Sequence, residues 1–478
     1  MIKKTTVFVS GQFNVLHPGH LRLFRFAKEQ GDRLIVGVTS DKIAGVAAYI
    51  PEELRLDGVK SNVYVDEAFI INENIRKIIA KIKPDIIVKG KEYEREKNPE
   101  MDAISEYGGK LIFSSGEVLF SSVDLIRREF QNQETKYISK PYAYMERHEI
   151  SGQKVIDIIS NFSHLKVAVI GDLIIDEYIT CQSLGMSQED PSIVVTPIDS
   201  IKFVGGAGIV AAHAASMGAN VDFFSIAGND EEFEFAGKKL KEFGVNAHLL
   251  VDQSRPTTIK KRYRSKGKTL LRVSRLHEAA ISLEYQAQLF IKLSKLMPSI
   301  DLLVFSDFNY GCLPQPLVDK LILKAKESKV YIAADSQSSS QVGNIARFKG
   351  VDLITPTEYE ARISTRNRED GLVVLAEQLR NEVQCNTVIL KMGEEGLLIY
   401  TKTDGEDSWT TDRIEALNNM PKDTAGAGDS LLISAAMALA CRATSWEAAC
   451  IGAVAAAVQV GQVGNSPILP KQVLEGFE

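Results

Sequence analysis

Cysteine is scarce in this chain. Five residues in 478, Cys181, Cys312, Cys385, Cys441 and Cys450, stand apart, with none of the spacings that bind metal or form a redox pair. That distribution excludes a disulfide framework and fits a reducing cytoplasm. Long uncharged apolar runs are missing too. The two richest patches, Leu431–Cys441 and Ala448–Val460, are cut off by Arg442 and Glu447, short of the roughly 18 residues that a membrane span needs. Basic charge is not in excess. The net charge is −6, and the first 135 residues hold acids and bases in equal number, so the whole imbalance lies in the remainder. Neither part carries the cationic footprint of a nucleic-acid binder. Low-complexity tracts and short-period repeats are also lacking. Met1-Ile2-Lys3-Lys4 runs straight into a strand-like Thr5–Ser10, which is not the pattern of a cleavable signal.

What is present is an ordinary globular composition, 45% apolar and 25% charged, in a length that predicts two or three domains. Thr5–Ser10 reads as a buried strand, Gly11–Asn14 as a turn and His17–Gln30 as a helix. Pro18 lies in its first turn and Gly31 ends it. Strands at Leu34–Thr39, Ala68–Ile71, Ile86–Lys89 and Lys110–Phe113 follow, with helices near Ile75–Ile82 and Met101–Tyr107. Such alternation predicts a parallel sheet covered by helices. Residues 1–135 are therefore expected as one domain, the polar stretch 136–150 as a linker, and 151–478 as a second α/β domain. Within the second, Ser192–Val204 and Thr257–Ser274 break the rhythm and read as a small projecting β-sheet, with a hairpin turn at Ser265–Lys268.

Two stretches carry chemistry. Asp423-Thr424-Ala425-Gly426-Ala427-Gly428-Asp429 leads into a helix of small apolar residues. Glycine permits close backbone approach to phosphate, and the first amides of a helix form an anion site. A carboxylate placed there can take the proton of a hydroxyl as it attacks a phosphoryl group. Near the N-terminus, His17 and His20 flank Pro18-Gly19 after a strand and turn. Three residues apart at a helix start, they project to one side and suit phosphate oxygens. Structural polar contacts at a helix start are the plainer alternative.

Gly11-Gln12-Phe13-Asn14-Val15-Leu16-His17-Pro18-Gly19-His20, continued by Gly31–Asp41, Val88–Tyr93, Gly108–Lys110 and Phe120–Ile126, resembles the nucleotidyltransferase superfamily. That superfamily includes glycerol-phosphate cytidylyltransferases and heptose-phosphate adenylyltransferases. The resemblance implies a Rossmann-like fold in which Gly11, Phe13, His17 and His20 meet the triphosphate. It implies that Lys89 neutralises the transferring phosphate and that Ser121 and Ser122 cap phosphate oxygens. Asn14 stands where aspartate is usual, Val123 where the heptose branch has threonine, and Ile43–Pro51 lacks that branch's Arg-Pro stretch. These departures touch the sugar-phosphate partner more than the reaction type.

Val169–Asp172 with Asp176, Gly205-Gly206-Ala207 and Asp423–Asp429 resemble the ribokinase-type (PfkB) carbohydrate kinases. By that resemblance Asp429 is the general base, and Gly426, Ala427 and Gly428 form the anion hole. Lys391, Gly393 and Gly396 serve the nucleotide, while Asp176, Gly205 and Gly206 meet the sugar. Mg²⁺ accompanies ATP, with CTP the alternative nucleotide at the N-terminal site, and no protein metal cluster is implied. Lys260 and Arg262, on one face of a strand, match a Thr-Thr-x-Lys-x-Arg pattern of heptose kinases and would serve a phosphorylated sugar; a solvated charged face is the plainer reading. The projecting sheet would form an active-site lid and the contact of a homodimer. Ile209, Tyr310, Gln337 and Thr357 depart from the asparagine or lysine usual at their places. The sugar then differs from heptose 7-phosphate, or the kinase is slow or silent.

Together the two resemblances imply a cytoplasmic bifunctional enzyme. It would phosphorylate a sugar phosphate and transfer a nucleotide to a sugar 1-phosphate for lipopolysaccharide or capsule synthesis. The order of its domains is the reverse of that usual in ADP-heptose synthesis enzymes. Small-molecule nucleotides and sugar phosphates are its expected partners, without nucleic acid or membrane. Two other readings stand beside it: a nucleotidyltransferase whose kinase domain only binds sugar or dimerises, and a non-catalytic nucleotide-sensing scaffold.

Overall fold

The computed structural model describes residues 5–14, 16, 18–45, 48, 50–90, 98–114, 138–265, 268–338, 342–402 and 410–477. The chain forms two compact units, Met1–Glu134 and Thr135–Glu478.

In the first unit, β1 (Thr6–Gly11), β2 (Arg33–Thr39), β3 (Glu67–Ile71), β4 (Ile86–Gly90) and β5 (Lys110–Ser114) make a parallel sheet of order β3-β2-β1-β4-β5. Alternation along β1 sends Val7 and Val9 to a core with Phe24, Ala27 and Val59, and Phe8 to the opposite face with Ile78, Ile79 and Ile104. The order reverses between β1 and β4, and in open parallel sheets ligands bind outside the carboxyl ends of the strands at such a point. Gly11 and Lys89 lie at those ends. The helix Ile75–Ile82 falls where its apolar period predicts, and the Asn74 side chain caps it by accepting from Arg76 N at 2.9 Å. Helices Asp41–Ala44 and Glu52–Lys60 are additions to the sequence reading.

The second unit has a nine-stranded sheet. It contains β6 (Lys166–Gly171), β9 (Asn220–Ala227), β10 (Asn246–Val251), β13 (Leu302–Asp307), β14 (Tyr331–Ser336), β15 (Leu353–Ile354), β16 (Thr387–Lys391), β17 (Leu397–Thr401) and β18 (Thr411–Ile414). The order is β10-β9-β6-β13-β14-β15-β16-β17-β18, parallel as far as β16 and antiparallel beyond. Two apolar cores cover its faces. One contains the small-residue helices Ala207–Ser216, Ala427–Ala440 and Ser445–Val460. Alanine-rich helices allow close packing, and most of their residues are buried.

β7 (Leu173–Met186), β8 (Ile193–Gly206), β11 (Thr258–Ser265) and β12 (Lys268–Arg275) form the separate four-stranded sheet, in the order β12-β11-β7-β8. Two of its segments were expected. The long β7 was not; only Asp172 separates it from β6. Buried Asp172 makes that turn, accepting backbone N–H bonds from Phe308 (2.8 Å), Cys312 (3.1 Å) and Tyr310 (3.3 Å).

Much of the stretch expected as a linker packs on this unit. Ile138 bridges to Asn418, and Tyr144 and Ile150 join the larger core. Arg147 and His148 both bind Asp412 of β18, His148 at 2.7 Å. No helix among the described residues is long and apolar enough to cross a membrane.

Candidate functional sites

In the second unit, Gly426 precedes the helix Ala427–Ala440 in the left-handed region, at φ 78°, where a side chain would be strained. Its Cβ would also stand 2.7 Å from Asn465 Oδ1. Asp423 holds the loop, accepting from Tyr178 Oη (2.7 Å), Ala425 N (3.1 Å) and Gly464 N (3.1 Å). Gln459 Nε2 reaches Ala425 O and Gly464 O from behind. The loop is thus fixed before any ligand arrives, and the first-turn amides of the helix lack intrahelical partners.

Asp429, in that first turn, is 6% exposed. Its Oδ1 accepts from Gln337 Nε2 at 2.9 Å. Burial first, then the charge of Asp335, push its carboxyl up to about 7, while Lys391 and Lys260 oppose the rise. Lys391 donates to Asp335 Oδ2 at 2.8 Å, and its Nζ lies 3.1 Å from where a Cβ on Gly428 would stand. A side chain there would crowd the ammonium where it approaches the helix start. Burial would lower the Lys391 pKa, but the charges of Asp335, Glu360 and Asp429 outweigh it and the net shift is upward. Burial also raises Asp335 to about 6, against the pull of Lys391. Asp335 Oδ1 is buried without a well-aligned hydrogen-bond partner among the described residues.

The four-stranded sheet supplies the facing groups. Asp176 on β7 accepts from Arg262 Nη2 and Asn465 Nδ2, each at 3.1 Å. A Cβ on Gly205 would come within 2.3 Å of its Oδ2. Burial raises the Asp176 carboxyl and Arg262 and Lys260 oppose it, for a net upward shift. In the β11–β7 register Lys260 pairs with Asp176 and Arg262 with Tyr178, so period-two alternation puts both cations on one face. Lys260 Nζ lies 5.4 Å from the Phe308 ring centre and 5.1 Å from that of Tyr310.

The structure therefore joins Asp176, Arg262 and Gly205 by direct contact, sets Lys391 beside Gly428 and Asn465 beside Gly426, and ties Asp429 to Lys391, Asp176 and Lys260 through charge. Gly206 instead opens the helix Ala207–Ser216 at φ 58°. Gly393 and Gly396 form the turn between β16 and β17. The sequence reading missed Asn465 and Tyr178 as site groups, and met Asp335 and Gln337 only as the place where Asp-Pro-Lys is usual. Tyr178 reaches the site through strand order, and Asn465 from the segment after the helix Ser445–Val460. Among the departures, Thr357 caps the helix Glu358–Thr365 in a capping box with Glu360. Ile209 is fully buried, and Tyr310 lies in a small apolar cluster with Ile174 and Phe308.

In the first unit, Phe13 takes a left-handed backbone, φ 49°. Its buried ring packs edge-on against His20 at 5.0 Å and beside Phe24 at 5.3 Å. A Cβ on Gly11 would come within 2.9 Å of that ring. Lys89 donates to Glu100 Oε1 at 3.0 Å. The guanidinium of Arg55, wholly buried, binds Gln12 O (2.6 Å), Ile50 O (2.7 Å), Thr39 O (2.8 Å) and Asp41. It ties the turn after β1 to the end of β2, a role no sequence pattern announces. His17, Ser121 and Ser122 lie outside the described residues. Among the described residues no group of three or more His, Cys, Asp or Glu side chains is placed to hold a metal ion.

A profile described as pfkB family carbohydrate kinase matches residues 164–472, and one described as cytidylyltransferase-like matches residues 8–156. The chain is 28% identical over 317 residues to the bifunctional protein HldE of Helicobacter hepaticus, covering 65% of this chain and 63% of that one. It is 29% identical over 315 residues to the bifunctional protein HldE of Desulfatibacillum aliphaticivorans, covering 65% and 62%. The aligned part thus spans less than two thirds of these relatives' length. Among solved structures, Arabidopsis thaliana ribokinase complexed with ribose and ATP superposes with a TM-score of 0.52 at 16% identity, over 66% of this chain and 99% of that one. Escherichia coli phosphofructokinase-2 with substrates and products gives 0.54 at 15%, over 66% and 98%. These likenesses show a ribokinase-like fold.

Proposed function

The chain belongs to the pfkB family of carbohydrate kinases, and from that premise we propose that it is a bifunctional enzyme that phosphorylates a sugar phosphate and joins a nucleotide to a sugar 1-phosphate. The observation that carries the kinase half is the buried Asp429 at a helix start, with Lys391 beside it and Asp176 and Arg262 facing it from the lid. In the kinase step the acceptor hydroxyl oxygen bonds to the γ-phosphorus, the bridging bond to ADP breaks, and the hydroxyl proton passes to Asp429. Lys391 and the amides of Gly426, Ala427 and Gly428 offset charge on the transferring group. Asp176, Gly205 and Arg262 orient the sugar, while Gly393 and Gly396 shape the turn on the nucleotide side. Asp335, whose buried Oδ1 has no well-aligned hydrogen bond among the described residues, would hold Mg²⁺ brought in with ATP, and the ion would supply charge neutralisation there.

In the transferase step an oxygen of the sugar 1-phosphate attacks the α-phosphorus of ATP or CTP, and pyrophosphate leaves. His17, His20, Lys89, Ser121 and Ser122 are the groups assigned to the phosphates. Lys89 and Gly11 at the reversal of strand order support this reading. An ADP-heptose-like product destined for a surface polysaccharide, made in the cytoplasm, is the proposed outcome. Exposed apolar residues on the lid, among them Ile198, Ile201 and Leu271, support a homodimer through that sheet.

A second reading keeps only the transferase. It is favoured by Tyr310, which is packed in an apolar cluster at a place where the heptose kinases carry lysine. Incubation with ATP, CTP and a panel of sugar phosphates, with mass spectrometry of the products, tests both. A sugar bisphosphate together with a nucleotide-sugar is expected. A nucleotide-sugar formed from sugar 1-phosphates with no bisphosphate in any mixture would refute the kinase half.

A further inference from the structure

Gln337 follows β14 directly, and its backbone is pinned on both sides. Its N–H donates to Asp307 O at 2.8 Å and its carbonyl accepts from Asn309 Nδ2 at 3.2 Å. Asp307 is itself held by Ser336 Oγ and Arg347 Nη2, each at 2.8 Å. From this fixed platform the Gln337 amide reaches Asp429 Oδ1 at 2.9 Å, and the same side chain also acts as a hydrogen-bond donor toward Asp335. We infer that Gln337 is a positioning residue for the kinase base, fixing Oδ1 of Asp429 and reserving Oδ2 for the acceptor hydroxyl. The inference rests on the reading of Asp429 as the base.

The physical basis is twofold. A carboxylate free to turn about its Cβ–Cγ bond offers either oxygen in many directions, and tying one oxygen aims the other. An amide N–H can only donate, so it favours the ionised carboxylate without adding charge. The charged groups acting on Asp429 are Asp335 from β14, Lys391 from β16, Asp176 from β7 and Lys260 from β11. Two are anions and two are cations. A neutral donor among them leaves that balance intact, whereas a lysine at the same place would tip it.

The test uses the full-length protein with Gln337→Leu and Gln337→Lys. Asp429 protonation is followed without substrate by difference infrared spectroscopy, as the carboxyl band that Asp429→Asn removes. The pH profile of phosphoryl transfer from ATP to the sugar-phosphate panel is measured in parallel. Gln337→Leu is expected to move the Asp429 midpoint up by about one pH unit through loss of a hydrogen bond to the ionised form. At pH 7 it should lower kcat roughly tenfold, with KM for the acceptor changed less than about threefold. Gln337→Lys is expected to move the midpoint down by about one unit or more. Opposite displacements are what a packing role cannot give. Midpoints that stay fixed, or that move the same way in both variants, would overturn the inference. Midpoints that move as expected, with no phosphorylated product from the unaltered protein, would refute the kinase reading and leave the Gln337–Asp429 coupling standing. Should Gln337→Leu not fold, Gln337→Glu replaces it, with an upward displacement expected and a fixed or lowered midpoint counting against the inference.

Discussion

Replacing Lys391 by methionine keeps most of the side chain's volume and removes one buried cation from between Asp335 and Asp429. Lys391 Nζ lies 2.8 Å from Asp335 Oδ2, with the two side chains 13% and 2% exposed. Breaking a buried pair of this kind costs about 3–5 kcal/mol when the remaining charge stays uncompensated. Asp335 has an escape, because it can take a proton. Its folded value, about 6, already exceeds the ordinary carboxylate value of 3.8. The native state therefore binds more protons than the unfolded state, and stability falls as pH rises through that window. Without Lys391 the window extends upward. With Lys391 present Asp335 is already mostly neutral below its native value of about 6, so only pH units above that value count against the variant, at about 1.4 kcal/mol each. At pH 5 the loss from this source should be less than about 1 kcal/mol, and by pH 8 it should reach about 3 kcal/mol. Urea unfolding followed by tryptophan fluorescence measures it, since Trp446 packs against the larger core of the second unit. The double variant Lys391→Met/Asp335→Asn should recover most of the loss at pH 8. A loss equal at pH 5 and pH 8, or a double variant no more stable than the single one at pH 8, would refute the reasoning.

Asp429→Asn should lower sugar phosphorylation by a factor on the order of a thousand and leave nucleotidyl transfer unchanged. Assaying both reactions on one preparation checks this, and equal loss of both would mean that the units do not act independently. His20→Ala should do the converse, and unaltered transferase turnover would remove His20 from that site. A truncation starting at residue 151 should be less stable than one starting at 138 by about 3–5 kcal/mol, because it discards buried Tyr144 and Ile150. Thermal melts of the two truncations, compared with the full chain, measure the difference.

The sequence made the apolar, periodic elements legible. Ile75–Ile82 could be placed because its isoleucines repeat at helical spacing behind an asparagine cap. Glu52–Lys60 could not, because its buried face is an arginine and a valine, and Arg55 is buried by satisfying carbonyl oxygens, not by being apolar. The strand β7 was not placed; a single aspartate separates it from β6. The motif Asp423–Asp429 was visible as local chemistry. Tyr178 and Asn465 were not, since neither stands in a local motif and only the fold brings them to it; Gln337 was visible only as a departure from lysine. Thr357 shows the opposite effect: what reads as a lost asparagine is a competent helix cap.

The parallel pairing of β11 with β7 sets Lys260 opposite Asp176 and Arg262 opposite Tyr178. Because side chains alternate along a strand, inserting or deleting one residue early in β11 would turn Lys261 and Tyr263 toward the site in their place. Length variation in this segment is therefore tolerable only in pairs, or beyond the irregularity at Tyr263/Arg264 where the register already shifts. Anyone grafting this lid onto another kinase, or tracing how such lids diverge, should find the inner half invariant in length and the outer half free to grow.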